Sequence, residues 1–325
     1  MSWKEQSTVD QREAFVRARL RGDQPMSELC REFGISRKTG YKWEQRFLDG
    51  DVTNLVDRSS RPHVLSRLTP AEIRGLIITA RVAHPTWGPK KLHALLRRDN
   101  PELVLPASST MSALLKREGL VKQRRPRNRT PQSSFPLAAA TAPNVVWCSD
   151  FKGKFRVDRK YCHPLTITDA CSRFVLRSEP LEAERFETSK AVFESAFREF
   201  GLPLRMRSDN GRPFASTGIG GMSQLSVWWI KRGILPERIE PGCPQQNGRH
   251  ERMHRTLKAE TVSPPRSDWE AQKLALAAWR QEFNHERPHE ALGMQTPASR
   301  HARSPRPYDE HAGDPEYRPS LKPAA

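Results

Sequence analysis

Three acidic residues in three different local settings constrain this chain more than any other feature. Asp150 closes an apolar, strand-like run, Val145-Val146-Trp147-Cys148-Ser149-Asp150-Phe151. Asp209 follows a second short strand and opens a sharp turn, Ser208-Asp209-Asn210-Gly211. Glu251 sits in a helix-like stretch entered through a Gly/Pro-rich loop, Pro241-Gly242-Cys243-Pro244-Gln245-Gln246-Asn247-Gly248. Carboxylates are hard oxygen donors suited to magnesium or manganese. Three of them, gathered from two strands and a helix, can hold a two-metal site for phosphoryl chemistry. For any one aspartate before a turn, a turn-capping role is the simpler reading; the set in this order favours a site.

The segments between these acids predict a mixed sheet. A hairpin leads through Lys152-Gly153-Lys154 into Phe155-Arg156-Val157 and on to Leu165-Thr166-Ile167-Thr168-Asp169, and Phe174 to Ser178 forms a third strand. Val192, Phe193, Ala196, Phe197 and Phe200 make one helical stripe, ended by Gly201-Leu202-Pro203. Leu225 to Arg232 reads as a helix and Ile234 to Ile239 as a final strand. Antiparallel strands, a helix, a parallel strand, a helix and a strand give an α/β layer whose strand ends gather at one edge. Trp228-Trp229 reads as packing on that layer, and Asp169, which as a strand-end carboxylate is also a candidate further ligand, reads as the opening of the turn Cys171-Ser172-Arg173.

Charge points to a partner. The 325 residues carry 55 Lys/Arg against 37 Asp/Glu, a formal +18, of which +12 falls in the first 140 residues. That balance implies a polyanion. Nucleic acid is favoured over a membrane, because no apolar run approaches the roughly 20 residues of a spanning helix. The N-terminus lacks the apolar core of a signal peptide. Five cysteines, odd in number and without a CxxC pair, read as reduced thiols and imply a cytoplasmic setting.

The basic N-terminal part reads as helical modules. Gln11 to Arg21 predicts an amphipathic helix with Phe15, Val16 and Leu20 inward; a second starts at Ser27 as N-cap and runs to Phe33. Gly34 allows a tight turn and Ser36 caps a third helix, Arg37 to Leu48. Ile35, Thr39, Trp43 and Phe47 mark its buried stripe, and Arg37, Lys38, Tyr41, Lys42 and Arg46 its basic face. A glycine turn followed by a basic-faced helix resembles a helix-turn-helix, whose last helix enters the major groove; a small bundle with a solvated face is the plainer alternative. Gly40 stands in that helix without a reason visible in the sequence. Residues 69–121 repeat the theme. Pro70 stands at a first helical position, Trp87-Gly88-Pro89-Lys90-Lys91-Leu92 starts a second helix, and Met111, Leu114 and Leu115 line a third that ends at Gly119. Lys122, Arg124, Arg125, Arg127 and Arg129 then open a turn-rich stretch that reads as a basic linker or DNA-following arm.

These motifs together carry a resemblance. Asp150-Phe151, Ser208-Asp209-Asn210-Gly211 and Gln246-Asn247-Gly248-Arg249-His250-Glu251-Arg252 resemble the catalytic core of the retroviral-integrase superfamily. The chain is similar in particular to bacterial insertion-sequence transposases with helix-turn-helix modules ahead of that core. Phe283-Asn284-His285-Glu286-Arg287-Pro288-His289-Glu290-Ala291-Leu292-Gly293, followed by Thr296-Pro297, matches the same group over about residues 10–300. The resemblance implies a ribonuclease-H-like mixed sheet flanked by helices, preceded by two all-α helix-turn-helix-type domains. The expected division is 8–50 for the first, 66–121 for a second helix-turn-helix or winged-helix-like domain, and 122–143 for the linker. A catalytic core at 144–262, a helical extension at 263–303 and a disordered tail at 304–325 follow.

It implies a DDE triad of Asp150, Asp209 and Glu251 holding two Mg2+ or Mn2+ ions. Water would free a 3′-hydroxyl at the element end, and that hydroxyl would then attack target DNA. The gap between Asp209 and Glu251 is 41 residues, where many relatives keep about 35; the surplus is assigned to the Gly-rich loop Ser216 to Gly221. Glu237, Glu240 and Glu260 are the competing glutamates, but only Glu251 carries Arg255 and Lys258 at i+4 and i+7. Expected DNA contacts are Arg37, Lys38, Tyr41, Lys42, Arg46, Lys90, Lys91, Arg124, Arg125, Arg127, Arg255 and Lys258. His250 and His254 lack the HExxH order and read as DNA-facing or solvated. Double-stranded DNA and a homo-oligomer of at least two copies are the expected partners, with the protein associated with the bacterial nucleoid. The rivals are a non-enzymatic helix-turn-helix regulator and a decayed or domesticated transposase. A serine or tyrosine recombinase would need a nucleophile among clustered arginines, and the four tyrosines lie in no such setting.

Overall fold

A computed structural model of the protein describes residues 7–58, 69–121, 137–216, 221–240 and 243–310. It divides into two units, Met1–Leu68 and Thr69–Ala325.

In the first unit, helix α1 (Thr8–Arg21) opens with a reciprocal capping box between Ser7 and Asp10 and closes at Gly22, whose φ of 80° ends the helix. Helices α2 (Met26–Glu32) and α3 (Arg37–Leu48) follow across Gly34, at φ 65°. Ser36 accepts the Thr39 amide at 3.2 Å and caps α3 as the sequence predicts. Helix α2 instead begins at Met26 behind Pro25, not at Ser27: proline fixes the extended entry, and Met26 is needed in the core. Phe15, Val16, Met26, Leu29, Cys30, Trp43 and Leu55 form that core, while Leu20 is 52% exposed and outside it. The same core explains Gly40. A Cβ there would sit 2.7 Å from Cys30 Sγ and 2.9 Å from Phe15 Cζ, so glycine lets α3 approach its neighbours closely.

The second unit begins with helices α4 (Ala71–Ala83), α5 (Pro89–Asp99) and α6 (Ser108–Arg117), packed around Ile77, Trp87, Leu92, Met111, Leu114 and Leu115. Pro89 is the first residue of α5, whereas Pro70 caps α4 from outside. The six-stranded sheet comes next, with strands β1 (Val146–Phe151), β2 (Phe155–Val157), β3 (Lys160–Asp169), β4 (Val175–Leu181), β5 (Arg205–Ser208) and β6 (Leu235–Arg238). β3 pairs antiparallel with β1, β2 and β4; β5 is parallel to both β1 and β6. This is the predicted mixed α/β order.

Helices α7 (Phe186–Phe200) and α8 (Gln224–Lys231) pack their aromatic stripes with Trp147, Leu165 and Ile167. Trp228 and Trp229 belong to this core. Helices α9 (Gly248–Leu257) and α10 (Trp269–Gln281) pack through Met253, Leu257, Leu276 and Trp279 around Val175. Strand alternation assigns the sides: Trp147 and Phe151 pack toward the α7–α8 core, so Cys148 and Asp150 project to the opposite face.

Residues 304–310, expected to be disordered, instead dock on the core. Leu202 N–H donates to Arg306 O at 2.8 Å, Ser304 N–H to Phe200 O at 2.8 Å, and Tyr308 packs on Phe197. At Gly201 (φ 79°) a Cβ would meet Arg306 O at 2.6 Å, so glycine permits this seam. Apolar periodicity is blind to a segment held by backbone hydrogen bonds. Likewise Ala138 and Ala140, within the expected linker, pack on Val146 and Cys148. Residues 122–136, including Arg124, Arg125 and Arg127, lie outside the described residues, as do 217–220 of the Gly-rich loop and 311–325 of the tail.

Candidate active site

The parallel pairing of β1 with β5 aligns Trp147 with Met206 and Cys148 with Arg207. Two residues further on, Asp150 lies one residue before the end of β1 and Asp209 one residue past the end of β5, on neighbouring strands that run about 4.8 Å apart. The turn after β5 suits its sequence. Gly211 donates its amide to Asp209 Oδ1 at 3.0 Å, and a Cβ at Gly211 would stand 3.1 Å from Asp209 Oδ2. Asn210 anchors the same turn to Ile239 O at 2.8 Å.

Glu251 is exposed on the first turn of α9, and Arg255 and Lys258 are exposed at the positions four and seven residues on. Burial pushes Asp150 up to about 7, and the nearby carboxylates of Asp209 and Glu251 push in the same direction. Asp209 is also raised, by burial and by Glu184. Two of the competing glutamates, Glu237 and Glu260, have other partners. Glu237 pairs with Arg207 at 2.7 Å and accepts the Ala138 amide at 2.9 Å. Glu260, on a π-type turn after α9, is held by Thr86, by Trp279 Nε1 at 2.7 Å and by Arg287 at 2.8 Å.

His250 and His254 are not solvated, contrary to expectation; they are 1% and 5% exposed. Both Nε2 atoms lie 2.7 Å from Thr166 Oγ1, and His250 Nδ1 lies 2.9 Å from Thr168 Oγ1. Thr166 donates to Asp150 O at 3.1 Å. Burial pulls His250 down to about 3 and His254 well below its ordinary value, so both rings are neutral at pH 7. They pin α9 to β3 directly beneath Asp150. Asp150, His250 and His254 bring one ligand atom each within 4.8 Å of one another. Because His250 spends both nitrogens on threonine hydroxyls, this set reads as a layer supporting Asp150, with His254 Nδ1 3.6 Å from Asp150 Oδ2. The i,i+4 spacing was the one sequence signal of this layer, and its meaning depends on the threonines opposite. Asp169 is the turn former expected: 1% exposed, it accepts from the amides of Asn144, Cys171 and Ser172 at 2.7, 3.1 and 2.6 Å.

Among the expected DNA-contacting residues, those on α3 and on α5 differ in setting. Arg37, Lys38, Tyr41 and Lys42 are exposed on α3, and Lys42 and the half-buried Arg46 lie over the Trp43 ring. On α5, Lys90 pairs with Glu290 at 3.5 Å and Lys91 is half-buried, facing the segment after α10.

Two integrase core domain families match the chain, over residues 140–244 and 232–297. A helix-turn-helix domain family matches residues 11–63 and a homeodomain-like domain family residues 39–115. An uncharacterized 31.7 kDa protein of insertion element IS407 from Burkholderia multivorans is 28% identical over 217 residues, covering 65% of this chain and 74% of that one. An uncharacterized 39.2 kDa protein of insertion element IS476 from Xanthomonas euvesicatoria is 27% identical, covering 71% and 65%. The transposase InsD for insertion element IS2 of Escherichia coli is 25% identical, covering 66% and 72%. Among solved structures, the HTLV-2 integrase catalytic core in complex with magnesium aligns with a TM-score of 0.39 at 17% identity, covering 50% of this chain and all of that one. This chain therefore carries an integrase core preceded by helix-turn-helix domains. It is a homologue of insertion-element proteins, the transposase InsD among them. Among the described residues no helix is long and apolar enough to cross a membrane.

Proposed function

We propose that this protein is a DDE transposase that binds the ends of its insertion element, cleaves at the 3′ end and joins that end to target DNA, with Asp150, Asp209 and Glu251 as its catalytic carboxylates. The observation that carries the reading is that Asp150, from β1, and Asp209, from the turn after the neighbouring β5, meet Glu251 of α9 closely enough that both carboxylates add to the burial that raises Asp150 to about 7. Such a set of oxygen donors fits divalent metal, whose charge would relieve that crowding. When bound, two magnesium or manganese ions supply electrostatic stabilisation to the attacking and leaving oxygens of an in-line displacement.

The chain's own residues do the rest. Asp150 and Asp209 present carboxylate oxygens from a rigid sheet edge, and Glu251 from α9. The His250–Thr166–His254 layer fixes the distance between that helix and that edge. Arg255 and Lys258, exposed one and two turns beyond Glu251, are placed to hold DNA phosphates on the same helical face. Hydrolysis frees a 3′-hydroxyl, which then attacks a target phosphodiester. Joining two ends requires at least two copies on DNA, with α3 supplying sequence contacts from the helix-turn-helix domain.

The test is nicking and joining of a duplex carrying the element's own ends, with magnesium, with manganese and with EDTA. Wild-type protein is expected to give metal-dependent 3′ nicks and joined products. Glu251→Gln is expected to bind the same DNA and to lose several kcal/mol of transition-state stabilisation, on the order of 10^3-fold in rate. Equal rates in both proteins would remove Glu251 from the triad.

A further inference from the structure

Helix α9 has a second working flank. Away from Glu251 it borders a cavity of about 590 Å³ that also touches α5, the β3–β4 turn and the segment after α10. Five cations line it: Lys91, Arg173, Arg249, Arg252 and Arg287. Two carboxylates face it, Asp169 and Glu290, so cations outnumber acids five to two along the lining. Asp169 makes its hydrogen bonds to the Asn144 amide and to Cys171 and Ser172 of its own turn, and Glu290 pairs with Lys90. Arg287 is paired with Glu260, and Arg249 donates to Ala170 O at 3.2 Å. Among the described residues Lys91, Arg173 and Arg252 make no ion pair.

Two further observations show that the fold sustains this crowding at a cost. Arg173 holds a φ of 67°, a conformation in which glycine or asparagine sits with less strain. Lys91 is brought down to about 8 by burial and by the Arg287 guanidinium, and Arg173 is lowered by burial and by Arg249. Like charges held together in a half-buried cavity are what an anionic ligand would stabilise.

We propose that this cavity binds phosphate groups of one DNA strand, so that α9 grips DNA on one flank while presenting Glu251 on the other. The chemistry recognised is the phosphodiester; that it belongs to DNA rests on the transposase reading. The cavity has room for sugar–phosphate units but not for a duplex, so it takes a single strand or the edge of a distorted end. Lys91 carries the grip back to the α4–α6 module, which lets strand binding report on the seating of that module.

The experiment uses the full chain and the double variant Arg173→Gln/Arg252→Gln, with thermal melts to establish folding. Affinity for end duplex and for a single strand of the same sequence is measured against salt concentration. Two lost phosphate contacts are expected to flatten the log–log salt slope by roughly 1.8 for duplex and about 1.4 for single strand. Arg252→Gln alone, an exposed position, should flatten it by about half as much and covers the case in which the double variant fails to fold. Inorganic phosphate is titrated in parallel and should compete with DNA in wild type more than in the variant. An unchanged slope in folded variants would overturn the proposal. So would phosphate stabilisation lost in the variant with the DNA slope intact, which would assign the cavity to a free anion. Nicking with an unchanged slope sinks this proposal alone; a flattened slope in a protein that never nicks sinks the transposase reading alone.

Discussion

Helices α3 and α5 are written in the same sequence idiom, a turn, a start signal and a run of basic residues, and the structure uses them differently. On α3 the cations Arg37, Lys38 and Lys42 are exposed, and Trp43 is the side that packs. On α5 the cations meet the segment after α10: the exposed Lys90 reaches Glu290, the exposed Arg98 reaches Glu286 O at 3.3 Å, and the half-buried Lys91 lines the basic cavity. The lesson is that a basic helix face identifies a polyanion-binding protein without saying which helix is free to bind. The neighbours decide, and in α5 the neighbour is the segment from Glu260 to Glu290.

The strongest way to break this comparison is at Glu260, which ties Thr86 of the α4–α5 turn to Trp279 and Arg287. Glu260→Gln leaves the largely buried Arg287 without its anion and should cost about 3 kcal/mol, seen as a lower midpoint in chemical denaturation. Metal-dependent nicking should survive in the folded fraction, since Glu260 is assigned to structure. Gly40→Val attacks the other module. Its side chain would drive into Cys30, Phe15 and Met26, at about 2 kcal/mol beyond any gain in helix propensity, and should lower the melting of the first unit.

A pH series sharpens the account of the core. His250 has its folded value depressed to about 3, so its neutral, buried ring contributes stability above the unfolded value of about 6.5. That contribution is lost as pH falls from 6.5 toward 3. The stability difference between wild type and His250→Asn should therefore shrink by up to about 2 kcal/mol between pH 7.5 and pH 5, and a constant difference would contradict a neutral ring. The smallest effect compares the two basic helices directly. Lys42→Gln should flatten the salt slope of DNA binding by about 0.9, and Lys90→Gln by much less, because Lys90 is already paired with Glu290. Equal slopes would mean that α5 is as free as α3.

Most of the fold was legible because its elements announce themselves locally. The stripe Val192-Phe193-Ala196-Phe197, the stop at Gly119 and the cap at Ser36 each need only neighbouring residues to be read, and each matches the structure. What was illegible depends on contacts distant in sequence. Gly40 makes sense only against Cys30 and Phe15. The pair His250 and His254 looks solvated until Thr166 and Thr168 stand opposite. Residues 304–310 have no periodicity, yet backbone bonds to Phe200 and Leu202 hold them. The candidate site shows the same division. Asp150, Asp209 and Glu251 could be singled out from a strand end, a turn and a helix motif, while the layer beneath Asp150 and the cation cavity behind α9 could not.

The most direct test of the central claim is manganese binding to the DNA-free protein, followed by calorimetry at pH 8, above the raised value of Asp150. Wild type should bind Mn2+, and Asp150→Asn, Asp209→Asn and Glu251→Gln should each weaken it by at least about tenfold, with Glu260→Gln and Glu237→Gln unchanged wherever they remain folded. Full affinity in Asp150→Asn, or loss confined to Glu260→Gln, would contradict the assignment of the three carboxylates as the metal site.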